Sequence, residues 1–187
     1  MNATWNAYGV SGQGSLQNVL CNDKTGRLIA HFKKNGTAGT VSSLFSRSLT
    51  SAQYERLTPE DDTRTFEDPI SSATSPYVYT NVFRIQPHPK EKTASVLTWE
   101  ELIRVNLETK QRETLLTETD LATEISGKRP YVSQILGCSN TGGESIILSI
   151  AWQHRSDKGQ HAEYWVYRMT LDTKKLAKLG QLYDTGI

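Results

Sequence analysis

The 187 residues hold 21 Lys and Arg against 20 Asp and Glu, and 36% of them are hydrophobic. That balance belongs to a folded chain long enough to bury a sizeable core, and it excludes a disordered polyelectrolyte. The net charge of +1 supplies no field that would draw the chain to nucleic acid or to an anionic membrane, so neither is expected as a partner.

No run approaches the roughly 20 apolar residues that cross a bilayer, and residues 1–14 lack a charged-then-apolar leader pattern. The expected compartment is the cytoplasm, unless a signal peptide has been removed.

In chain order, residues 17–21 and 28–32 read as two strands joined by a Gly-bearing turn. Residues 44–49 and 54–58 follow as a second, less regular hairpin in which Arg47 interrupts the apolar face. The middle of the chain repeats the order: 69–73, a Ser75-Pro76 turn, 77–85, then the alternating stretch Ile103, Val105, Leu107 and an acidic-Thr-Lys turn. A third round runs through 131–138, 146–152 and Tyr167, Met169, Leu171, again closed by an acidic-Thr-Lys turn.

The clearest internal match lays residues 102–116 over 166–180 without a gap, so that Leu107 falls on Leu171 and Leu115 on Leu179. Leu49 and Leu57 mark the same positions in the first round. Repeats of this kind are the strongest available sign of fold. They predict an all-β chain, one domain over 1–187, with three four-stranded units at about 16–58, 66–117 and 130–182. A helix over 98–116 is the local rival, because Thr98 and Glu101 fit a capping box.

This strand order resembles the propeller repeats of TolB-type, tricorn-like, prolyl-oligopeptidase-like and WD-type proteins, over about residues 16–182. The resemblance implies a partial β-propeller, with a β-sandwich or β-barrel as the alternative folds. Three units are fewer than the four or more that close a ring, so the chain is expected to self-associate head to tail or to belong to a larger one. The segment from Thr4 to Tyr8 offers a further strand near Leu182 and Tyr183.

A propeller unit places the loop between its second and third strands at the same end as the loop to the next unit. The resemblance therefore brings His88, His154 and His161 to one rim with Asp61, Asp62 and Asp120. Imidazoles and carboxylates converging there are the candidates for acid–base work on a peptide or glycan, or for a divalent metal. Their spacing matches no compact motif, so no metal and no cofactor are assigned, and solvated loop residues are the plainer reading. His31, inside an apolar strand, reads as a structural histidine.

Cys21 and Cys138 each end an apolar run before a turn, at what reads as one repeat position. They are expected to be unbridged, and small buried hydrophobes in character. The function expected is a non-catalytic scaffold whose loops bind a protein or peptide. The alternatives are a hydrolase or lyase using the His-bearing loops, and a carrier of a small apolar ligand inside a barrel.

Overall fold

The computed structural model describes residues 14–37, 39–91, 95–125, 128–140, 143–156 and 159–184. Its strands are β1 (Gly14–Asn22), β2 (Arg27–Asn35), β3 (Thr40–Ser48), β4 (Glu55–Arg56), β5 (Arg64–Ser71), β6 (Tyr77–Pro87), β7 (Ser95–Asn106), β8 (Arg112–Thr117), β9 (Lys128–Ser139), β10 (Ser145–Ser156), β11 (Gly159–Thr170) and β12 (Lys175–Asp184). One short helix, α1 (Glu118–Glu124), joins β8 to β9.

The strands form three four-stranded antiparallel meanders, β1–β4, β5–β8 and β9–β12, each in sequence order, and none closes into a barrel. Residues 98–116 are strands β7 and β8 rather than a helix. The apolar face Ile103, Val105 and Leu107 has a sheet to pack on, and burial at 0% exposure for each outweighs the local helix propensity of Glu, Lys and Arg.

Sheets one and two meet over Ile29, Leu44, Leu57, Phe66, Val78, Val82, Ile103, Val105 and Leu107. Sheets two and three meet over a larger seam that includes Tyr79, Trp99, Leu102, Leu115, Ile146, Leu148, Ile150 and Met169. Each of these side chains withdraws enough surface to stabilise the fold by about 1.5–3 kcal/mol, so the two seams are the main cohesion between sheets.

The register makes the repeat explicit. Arg27, Tyr77 and Ser145 pair with Ser48, Asn106 and Thr170, the residues before Leu49, Leu107 and Leu171. Cys21 pairs with Leu28 and Cys138 with Ile146, one step further on in each unit. The two cysteines therefore do hold one repeat position, and both thiols are free. Their burial differs from expectation: Cys21 is exposed and Cys138 only half-buried. Cys138 packs against the second seam, whereas Cys21 lies on the first sheet outside the buried clusters of the described residues.

The first strands carry bulges at corresponding stages, between Leu16 and Asn18, between Glu67 and Ile70, and along β9. In β5 and β9 the bulge contains a charged residue of left-handed backbone followed by proline: Asp68 at φ 51° before Pro69 and Arg129 at φ 53° before Pro130. Proline lacks the N–H that a regular ladder needs, so within a strand it sits at such irregularities.

Candidate functional site

The antiparallel order puts the β2–β3, β6–β7 and β10–β11 connections and the two joining segments at one end, as the unit order predicts. There, Gly39 adopts φ 147°, and a Cβ on it would stand 2.9 Å from Ser95 Oγ. The first and second sheets thus touch at this end through a position only glycine fills easily.

The predicted site residues lie at this end, but most are engaged locally. Asp61 Oδ1 accepts from the Thr63 amide at 2.8 Å and its hydroxyl at 2.7 Å, an arrangement that, with Arg64 nearby, holds the carboxyl below its usual range. Asp62 pairs with Lys34 at 3.1 Å. Asp120 completes a capping box with Thr117 at the start of α1. His88 Nδ1 accepts from the Glu91 and Lys90 amides at 3.0 and 3.3 Å, closing its own loop.

His154 and His161 are in strands rather than in a loop: they are cross-strand partners near the tips of β10 and β11, and their side chains lie outside the described residues. The connection they were expected to occupy is only residues 157–158, because both flanking strands extend further than the apolar pattern indicates. Among the described residues, no group of three His, Cys, Asp or Glu side chains has the geometry to hold a metal ion.

Beside these residues lies an open groove of ≈ 490 Å³, lined by Arg84, Gln86, Thr98, Trp99, Glu100, Thr117, Glu118 and Thr119. Strands β6 and β7 supply the first five, and the β8–α1 corner supplies the rest. Glu100 is clamped between two guanidinia, with Arg64 Nε at 2.9 Å and Arg84 on its other oxygen. Trp99 is 5% exposed, and its indole N–H donates to Asn81 Oδ1 at 3.2 Å. The groove therefore offers fixed charges of both signs, hydroxyls and the edge of an indole.

A second polar cluster, not evident from the sequence, is built into the seam between sheets one and two. Glu67 Oε1 accepts from Thr65 Oγ1 at 2.7 Å and Ser42 Oγ at 3.1 Å, and Lys33 Nζ stands 3.1 Å from Oε2. His31 Nε2 lies 3.9 Å from that same oxygen, too far to bond, in a side chain 6% exposed. Burial lowers the imidazole's pKa against the opposing pull of Glu67. The neighbouring Asp68 carboxyl is pushed up by burial and by the Glu67 charge. The usable sequence signal was a charged residue directly before proline within a strand, which marks the bulge that turns Asp68 out of the ladder.

Against these features, the sequence matches no protein-family model and no curated protein.

Proposed function

We propose that the chain is a propeller-type binding module, and that it holds an extended protein or peptide segment in the groove between the β6–β7 ribbon and the start of α1. The observation that carries this reading is the groove itself: a preformed concavity on rigid strands whose charged groups are already oriented by their neighbours. Such a surface suits a polar backbone with side chains of both signs better than an apolar small molecule. The local use of Asp61, Asp62, Asp120 and His88 in turns, ion pairs and caps favours binding over the hydrolase or lyase alternative.

The test is selection from a random displayed-peptide library on the immobilised protein, followed by affinity measurement with Arg84→Ala and Thr119→Lys. Both positions are at the groove surface, so circular dichroism should report an unchanged fold. Enriched peptides that lose binding to either variant support the proposal. Failure to enrich any sequence, or enrichment indifferent to both substitutions, overturns it.

A further inference from the structure

Strand β8 accompanies β7 for only part of its length. Their pairing runs from Val105 with Arg112 to Glu101 with Thr117, where the chain turns away into α1. On its other side β7 stays paired with β6 as far as Ser95, opposite Pro87. The outer edge of residues 95–100 therefore meets no strand among the described residues, over a length of about 20 Å. Residues 95–98 are all exposed, so both faces of this stretch are open as well.

The groove ends on that edge. Cross-strand partners share a face, so Arg84 with Thr98, and Gln86 with Val96, stand on the side of β7 that the groove occupies. Ile85 and Leu97 form the intervening pair on the opposite face, where Ile85 is buried and Leu97 is 56% exposed. Thr117, Glu118 and Thr119 line the groove from the point where β8 leaves the sheet. The β6 register skips Glu100, since Val82 opposes Glu101 and Phe83 opposes Trp99. Such a bulge bends its strand, and bulges are frequent where pairing stops beside a site.

The composition of the edge agrees with its geometry. Unpaired amides and carbonyls template the addition of another strand, and bare edges are normally blunted by charge or proline. Strand β12, at the edge of the third sheet, follows that rule with Lys175 and Lys178. Residues 95–99 of β7, Ser-Val-Leu-Thr-Trp, carry neither charge nor proline, and Val, Thr and Trp are strong strand formers.

We infer, resting on the groove's role as a peptide site, that the bound segment adds to the second sheet as a strand. Its main chain pairs with the outer edge of residues 95–100, in the line that β8 abandons. Side chains of an added strand alternate between the two faces. One set meets Arg84, Gln86 and Thr98, and the other meets Leu97. The ligand class is therefore an extended segment with an apolar residue at every second position and polar residues between, held largely through its backbone.

Peptides enriched on the immobilised protein should show apolar residues at a spacing of two. In such a peptide, N-methylation at every second amide, those facing β7, should weaken binding about tenfold by removing a hydrogen bond and blocking approach. Methylation at the amides between should have little effect. Leu97→Lys, a change at an exposed site, should keep the circular dichroism spectrum and weaken the same peptides. Residues 95–100 should gain protection from hydrogen exchange when the peptide binds. Peptides that lose affinity for Arg84→Ala yet tolerate N-methylation throughout would overturn strand addition and leave the groove reading standing; no enriched peptide at all would overturn both. An edge fully protected from exchange in the free protein, or a dimer that Leu97→Lys dissociates, would show the edge taken by the chain itself or by a second copy, and would also overturn the inference.

Discussion

Lys174 Nζ stands 3.6 Å from Glu113 Oε1 across the second seam and donates to the Thr114 carbonyl at 2.8 Å, while its own backbone sits at φ 53°. One side chain thus ties the turn of one sheet to the outermost strand of the sheet before it, from a conformation that costs a non-glycine residue about 1 kcal/mol. Lys110, at φ 61°, repeats the arrangement one sheet earlier.

Both side chains of the Lys174–Glu113 pair are more than two-fifths exposed, so solvent screening leaves the ion pair about 0.5 kcal/mol. Lys174→Ala should lose roughly that together with the carbonyl bond. Lys174→Gly should be the more stable of the two variants by about 1 kcal/mol, since glycine meets the left-handed backbone without strain. Urea unfolding of the pair measures the difference, and an Ala variant as stable as Gly would refute the role of the turn conformation.

The two cysteines should differ in reactivity despite their shared repeat position. Cys21 is exposed, whereas burial and the nearby Glu144 push the Cys138 thiol up to about 12. In the folded protein a maleimide should label Cys21 within minutes and Cys138 far more slowly. In denaturant two thiols per chain should react. Equal rates in the native state would contradict the seam placement of Cys138.

The first seam should weaken in mild acid. His31 has its folded pKa lowered from 6.5 by burial, so as pH falls below 6.5 the unfolded chain takes up a proton that the folded chain refuses. Stability declines until the folded value is passed and then levels. Asp68 acts in the opposite sense: its folded pKa is raised from 3.8, so it removes stability as pH rises above 3.8 through the folded value. Melting temperatures of wild type and His31→Gln between pH 7 and 5 isolate the first effect. The Gln variant should show the shallower decline, and parallel curves would rule out His31 as its source. Asp68→Asn should raise the melting temperature at pH 7.

The repeat was legible in the sequence because Leu107 and Leu171, with the turns after them, recur without a gap, and the three meanders follow from it. What stayed hidden was burial. Cys21 and Cys138, or Arg47 and Met169, occupy one position each in the repeat, yet their surroundings are set by whether a neighbouring sheet lies behind them. Arg47 interrupts an apolar pattern for this reason: it faces outward from the first sheet. The groove was hidden too, since Arg84, Glu100 and Thr119 come from separate segments and carry no local motif. His154 and His161 were misplaced because strands β10 and β11 continue into polar residues, where hydrophobic alternation gives no signal.

The three marker leucines offer the sharpest test of this position-against-neighbour argument. Their backbones do the same thing: the amides of Leu49, Leu107 and Leu171 donate to the carbonyls of Gly26, Pro76 and Glu144, at 3.3, 2.8 and 3.1 Å, locking each third strand to the turn between its first two. Their side chains do not. Leu107 and Leu171 are 0% and 5% exposed, packed in the first and second seams, while Leu49 is 62% exposed and belongs to neither seam. Alanine keeps the amide and the turn, so only the side-chain environment changes. Leu107→Ala and Leu171→Ala should each cost about 2–5 kcal/mol, the transfer term plus the cavity left between two sheets that cannot fully collapse. Leu49→Ala should fall within about 0.5 kcal/mol of wild type. Chemical denaturation of the three variants distinguishes the cases, and a cost at Leu49 comparable to that at Leu107 would mean that the Leu49 side chain is packed against a neighbour as well.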